Sequence, residues 1–196
     1  MKQLALGISP PPQPTLDNFV PGANAELLAR LREFQAGTFP DAVLYLWGEP
    51  GSGKSHLLRA CTGPNVVDNA EKLSEPSQIG LFNAINEARQ SGGRVLVAGC
   101  APPAQLPLRE DLKSRLAWGL VYQVKPPSDG ERAQFLHAEA GRRGMHLPDE
   151  VVAYLLSRMR RDLRSLTAVL DQLDRFSLET KRPVTLPLVR EALKQS

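Results

Sequence analysis

Residues 48–55 read Gly48-Glu49-Pro50-Gly51-Ser52-Gly53-Lys54-Ser55 and satisfy the pattern G-x-x-x-x-G-K-[ST] at every fixed position. The spacing carries a specific chemistry. Glycines let successive backbone N–H groups turn inward around phosphate oxygens. A helix that starts at the end of such a loop points the positive end of its dipole at the same anion. Lys54 adds a mobile positive charge for the β- and γ-phosphates, and the Ser55 hydroxyl is a ligand for Mg²⁺. The expected phosphate contacts are therefore Gly48, Pro50, Gly51, Ser52, Gly53, Lys54 and Ser55, with His56 next in line, and the expected cofactor is ADP or ATP with Mg²⁺. A carboxylate at the end of a neighbouring strand completes a metal site of this kind. Asp68, after Val66-Val67, is the candidate, so Ser55 and Asp68 form the expected metal pair.

Such a loop works only between a strand and a helix, and the flanking pattern supplies both. Residues 42–47, Ala-Val-Leu-Tyr-Leu-Trp, are an unbroken apolar run, as in a parallel strand buried on both faces. A helix is expected from Lys54 to about Cys61, and a short strand over 65–68. Residues 77–91 read as a helix with Ile79, Phe82, Ile85 and Ala88 inward. Further strands are expected at 94–99 and 120–124, with a helix over 109–117 between them. Alternating strands and helices imply a parallel α/β sheet. Upstream, Leu27, Leu28, Leu31 and Phe34 mark one stripe of a helix over 24–35. After Pro126-Pro127 only helical patterns follow, starting near Asp129 (capped by Ser128 or Asp129), Pro148-Asp149, Asp162 and Thr185. The domain reading is a tip and Pro-rich spacer at 1–15, a nucleotide-binding α/β part at 16–125, and a helical part at 126–196.

Composition excludes some alternatives. The chain is 42% hydrophobic and 23% charged, ordinary for a soluble globular protein. No apolar run approaches the ~18 residues of a membrane span, and the N-terminus has no secretory pattern. The cysteines, Cys61 and Cys100, lie far apart and make no metal cluster, which fits a reduced, cytoplasmic setting. A net charge of +3 permits nucleic-acid contact, but both signs alternate along the C-terminal helices, so the expected DNA contact is weak or indirect.

Several segments together resemble the DnaA-related AAA+ family, and within it the Hda-like regulators. Asp17-Asn18-Phe19-Val20-Pro21-Gly22-Ala23-Asn24 is similar to the segment that sits over the adenine in DnaA, which implies nucleotide contact for Phe19 and Val20. Leu112-Lys113-Ser114-Arg115-Leu116-Ala117-Trp118-Gly119-Leu120 resembles the box that holds the arginine finger, and Arg115 is the finger the resemblance implies. Arg160-Arg161-Asp162-Leu163 resembles the sensor-2 segment; Arg161 is the implied phosphate-reaching residue, with Arg158, Arg160 and Arg164 as alternatives. The run Leu170-Asp171-Gln172-Leu173-Asp174-Arg175 resembles the Hda-like members specifically. Gln3-Leu4-Ala5-Leu6 resembles the peptide that docks on the DNA polymerase III sliding clamp, with Gln3 at the pocket rim and Leu4 and Leu6 in an apolar groove.

The family pattern also has departures. Many AAA+ ATPases carry a glutamate after the acidic residue, but here that position is Asn69, and an amide cannot accept a proton from the attacking water. Glu71 lies two positions further on. The strand 94–99 leads to Cys100, where a γ-phosphate sensor is expected, and a thiol is a weak hydrogen-bonding group. Both features imply binding without efficient hydrolysis. Only 14 positions separate Lys54 from Asp68, so the expected fold is a P-loop AAA+ parallel sheet shortened by one strand and its helix, followed by a small all-helical lid. The resemblance implies a negative regulator of replication initiation that binds nucleotide and the clamp and promotes hydrolysis of ATP on the initiator DnaA. The chain ends at Ser196 without a helix-turn-helix domain, which implies a regulator over an origin-binding initiator. The alternatives are a small ATPase of the helicase-loader type and a nucleotide-stabilised adaptor. No membrane contact is expected, and a homo-oligomer is left open.

Overall fold

The structure, a computed structural model, describes residues 13–61, 65–160 and 162–194. Helix α1 (Ala25–Ala36) leads to strand β1 (Val43–Trp47), then α2 (Lys54–Ala60), β2 (Val66–Val67), α3 (Glu75–Ser91), β3 (Val95–Gly99), α4 (Glu110–Leu116) and β4 (Leu120–Gln123). The four strands form one parallel sheet in the order β2-β3-β1-β4. Parallel pairing puts every strand's carboxyl end on one edge of the sheet, and that edge carries loop 48–53. The register Val43↔Val95 and Leu44↔Leu120 aligns the central strands at their starts.

Side chains alternate across a strand with a period of two, so the apolar runs of β1 and β3 serve two cores. Leu44, Leu46, Leu96 and Ala98 pack with Leu27, Leu31 and Leu57 of α1 and α2. Val43, Tyr45, Val95 and Val97 face the other way, against Ile85, Ala88, Leu112 and Leu116 of α3 and α4.

The inward face of α3 differs from the expected one. Leu81, Ile85 and Ala88 are buried, while Ile79 is 42% exposed and Phe82 only partly covered. The spacing 81, 85, 88 follows the helical repeat onto the sheet, which leaves Ile79 and Phe82 on the flank. The phenyl ring there lies near Arg115 at the end of α4. The shortened sheet is as expected. Strand β2, two residues long, forms one edge, and no strand lies beyond it among the described residues.

The helical part comprises α5 (Asp129–Arg142), α6 (Asp149–Arg158), α7 (Leu163–Thr180) and α8 (Leu186–Lys194). Ser128 and Glu131 form a capping box at the start of α5, satisfying two orphan backbone donors reciprocally. Leu136, Leu155, Leu166, Leu170, Leu173 and Leu188 build a core separate from those of the sheet. Asn24 fastens the junction: its amide nitrogen donates to the Lys125 carbonyl at 2.9 Å, and its oxygen accepts from the Lys125 N–H at 2.8 Å. Among the described residues, no helix is long and apolar enough to cross a membrane.

Candidate nucleotide site

The loop leaves the carboxyl end of β1 and closes on itself through Lys54. Its Nζ donates to the carbonyl of Gly48 at 2.7 Å and to that of Glu49 at 3.0 Å. Burial pulls the Lys54 ammonium below the usual lysine range, against the opposing fields of Asp68 and Glu71. A half-buried cation resting on carbonyl oxygens is better satisfied by a phosphate, which brings full negative charge. Gly51 and Gly53 have φ of +83° and +103°, conformations that favour glycine. A Cβ on Gly53 would lie 2.6 Å from the ring of Phe19. The Ser52 hydroxyl is buried within this loop without a hydrogen-bond partner among the described residues. An orphan donor, a glycine cradle and a caged lysine fit the phosphates of a nucleotide. Pro50 sits at the exposed tip of the loop.

The structure brings together the two residues expected to hold the metal. Ser55 Oγ donates to Asp68 Oδ2 at 2.6 Å, and Asp68 Oδ1 accepts from the Asn69 N–H at 2.8 Å. A hydroxyl and a carboxylate side by side suit a hard divalent cation that keeps several of its waters, as Mg²⁺ does.

Asn69 explains its own identity. It has φ +55° and ψ +51°, the left-handed region that Asn tolerates and most residues avoid. The chain then turns through a 3₁₀ segment, Ala70–Lys72, and Glu71 returns toward the sheet. Its Oε2 accepts from the Cys100 N–H at 3.2 Å, at the carboxyl end of β3. Two positions beyond the usual place in sequence, a carboxylate still reaches the sheet edge. Beneath it the Tyr45 hydroxyl donates to the Ala101 carbonyl at 2.8 Å, and burial holds that hydroxyl well above the usual tyrosine range.

Phe19 is buried, its ring tilted against His56 with centroids 5.6 Å apart, and His56 Nε2 lies 2.9 Å from the Thr15 carbonyl oxygen. Phe19 and His56 thus wall the start of α2, and Val20 beside them is half-buried. From the lid, Asp162 caps α7 by accepting from the Ser165 N–H at 2.9 Å and the Ser165 hydroxyl at 2.8 Å. The Asp162 Cβ lies only 2.9 Å from where a Cβ on Gly51 would stand, so this lid turn abuts the phosphate loop. Arg161 lies outside the described residues, as do Gln3, Leu4 and Leu6. Of the alternatives to Arg161, the Arg158 guanidinium lies 5.9 Å from the Tyr154 ring, Arg160 is 3.8 Å from Asp162 Oδ2, and Arg164 is exposed.

Arg115 lies elsewhere. Its guanidinium sits 3.5 Å from the centroid of Trp118 and 5.2 Å from that of Phe82. Arg89 covers Trp118 at 4.6 Å. Neither arginine has an ion-pair partner among the described residues, and Trp118 is 50% exposed. Trp118 and Arg89 line a groove with Val43, Arg94 and Gly119, at the amino edge of the sheet. Strand β1 separates that edge from the phosphate loop; at ~3.3 Å per residue this is roughly 16 Å, beyond the reach of an arginine side chain.

Residues 129–193 match the family model for the Hda lid domain. The fold is similar to domain III of the replication initiation protein DnaA from Thermotoga maritima, with a TM-score of 0.76 and 22% identity over 95% of this chain and 98% of that one. It is similar also to a replication initiator DnaA bound to AMPPCP and single-stranded DNA, with a TM-score of 0.74 and 19% identity over 94% and 70% of the two chains. A more distant likeness is the Thermotoga maritima RuvB Holliday junction branch migration motor, with a TM-score of 0.64 and 17% identity over 94% and 72%. The chain thus carries an Hda-type lid over residues 129–193 on a DnaA-like AAA+ fold. Its fold is the α/β P-loop sheet with a helical lid that the resemblance implies.

Some contacts of the chain were not visible in its sequence. Asn24 and Lys125 meet across 101 positions, and no periodicity marks either residue. Asp162 has a signal as a helix cap, but its contact with Gly51 depends on how the lid sits. Arg89 reads as an ordinary solvated helix residue until Trp118 is placed beside it.

Proposed function

We propose that this Hda-like chain is a negative regulator of replication initiation that promotes hydrolysis of ATP bound to the initiator DnaA. It binds ADP or ATP with Mg²⁺ at loop 48–55, with Ser55 and Asp68 as the metal pair and Arg161 reaching down from the lid. Arg115 enters the nucleotide site of DnaA and stabilises the charge that builds up as the γ-phosphate leaves. Gln3, Leu4 and Leu6 tether the chain to the DNA polymerase III sliding clamp, so its contact with DNA runs through the clamp, in the cytoplasm.

The observation that carries this reading is the position of Arg115. Among the described residues it has no carboxylate partner, and it stands on the sheet edge opposite its own phosphate loop. A guanidinium in that place cannot serve its own nucleotide and is available to a neighbour's. The match of the lid to Hda supports DnaA as that neighbour. An amide at Asn69 and a thiol at Cys100 support weak turnover by the chain alone.

The test is ATP hydrolysis by DnaA, with and without this chain and DNA-loaded clamp. Arg115→Ala is expected to keep ADP affinity and clamp binding while losing the stimulation, at least 100-fold on the scale of known arginine fingers (about 10³–10⁵). Full stimulation by Arg115→Ala would falsify the finger assignment.

A further inference from the structure

At the amino edge of the sheet, four side chains form a layered stack: Phe82, Arg115, Trp118 and Arg89. The Arg115 guanidinium lies 3.5 Å from the Trp118 centroid and 5.2 Å from that of Phe82, so it is held by two aromatic rings. Arg89 approaches Trp118 at 4.6 Å. A half-exposed indole is thus in contact with two cations that have no carboxylate within ion-pair distance among the described residues. Arg115 Nε is buried and has no hydrogen-bond partner.

An unpaired arginine on a surface ordinarily samples many rotamers, and immobilising such a side chain opposes binding. Stacking on aromatic faces restricts that freedom without neutralising the charge, because a ring quadrupole attracts the cation but offers no counter-ion. A carboxylate partner would hold the guanidinium as firmly, yet would compete with an incoming phosphate. The rings leave the edge of the guanidinium, where its donors lie, available for an anion.

We propose that Trp118 is the positioning residue of Arg115. With Phe82 it holds the guanidinium in a charged, unpaired and ordered state, ready for the phosphates of a partner's nucleotide. Arg89, on Trp118 as well, adds a second positive charge that draws the same anion to this edge. The proposal rests on the reading of Arg115 as a finger acting in trans.

The experiment compares Trp118→Ala, Trp118→Leu and Trp118→Phe with Arg115→Ala, in hydrolysis by ATP-loaded DnaA with DNA-loaded clamp. Each variant is titrated to saturation, so that the maximal rate and the half-saturating concentration separate. Thermal melting checks that each is folded. The expected result is a maximal rate lowered roughly two- to thirty-fold in Trp118→Ala and Trp118→Leu, the span of a cation–π contact, and largely restored in Trp118→Phe. Leucine retains apolar bulk but has no ring quadrupole, so packing alone would be rescued by leucine as well as by phenylalanine. If Arg115→Ala abolishes stimulation while Trp118→Leu keeps the full maximal rate, the positioning role is overturned and the finger stands. A change confined to half-saturation makes Trp118 a docking contact and also overturns the proposal. If Arg115→Ala stimulates fully, or the unaltered chain does not stimulate at all, the finger reading fails and the positioning role fails with it.

Discussion

At the scale of single residues, the site combines a complete phosphate loop with an altered hydrolytic position. Residues 48–55 stand out in the sequence because their spacing carries a specific chemistry, and Asp68 because it follows a strand; the structure sets Ser55 and Asp68 2.6 Å apart. The reason for Asn69 could not be read in the same way, because it lies in the backbone. A left-handed conformation there penalises most side chains by about 1–3 kcal/mol, and glutamate lacks the short amide that lets asparagine bond locally. Asn69→Glu is therefore expected to lower stability by about 1 kcal/mol or more without conferring ATP turnover on the isolated chain. Chemical denaturation and a phosphate-release assay would check the two halves. A turnover gain with unchanged stability would mean that the backbone at this position relaxes freely, and that side-chain chemistry alone set the residue.

Among elements, the junction between lid and sheet governs how the site is assembled. Period-two and helical patterns were enough to place β1, β3 and the lid helices within a residue or two, because burial on both faces or on one stripe leaves few alternatives. The face of α3 was less legible: Ile79 and Leu81 are both apolar, and only the tilt of the helix against the sheet decides between them. The start of α7 offers a direct test. Asp162 caps the helix while touching the phosphate loop. Burial works to raise its pKa, but the hydrogen bonds from Ser165 and the nearby Arg160 charge prevail and hold it below the usual aspartate range. A depressed folded-state pKa means that the cap's contribution is complete above the unfolded value, about pH 4, and is lost as pH falls through the folded value. Asp162→Ala should destabilise the chain by about 1 kcal/mol at neutral pH, and the gap from the unaltered chain should close in acid. Urea denaturation at neutral pH and below pH 3 would measure it. A gap that persists unchanged in acid would mean that lost packing, not the charged cap, is responsible.

For the whole molecule, the decisive feature is that the chain has separate cores. One set packs against the two faces of the sheet, and another lies wholly within the lid. Glu131 approaches Gly22 and Asp162 lies beside Gly51, while Asn24 holds Lys125, the last residue before the lid. If, as proposed, Arg161 reaches the phosphates from the lid, a nucleotide held also by loop 48–55 would bridge the two parts. Ligand that binds only the joined state stabilises it by RT ln(1 + [L]/Kd), about 2.7 kcal/mol at a hundredfold excess over Kd. Calorimetry of the free chain is therefore expected to show a broad or double transition, because separate cores can unfold with little coupling. ADP with Mg²⁺ should merge and raise it by several degrees, since about 1 kcal/mol shifts the midpoint of a chain this size by roughly 2–4 °C. Lys54→Ala should abolish the change. Arg115→Ala should leave it intact, because that side chain stands at the far edge of the sheet. If saturating ADP sharpened the unfolding of Lys54→Ala as much as that of the unaltered chain, the ligand would be binding somewhere other than between loop and lid, and the description of the lid as the second half of the nucleotide site would have to be abandoned.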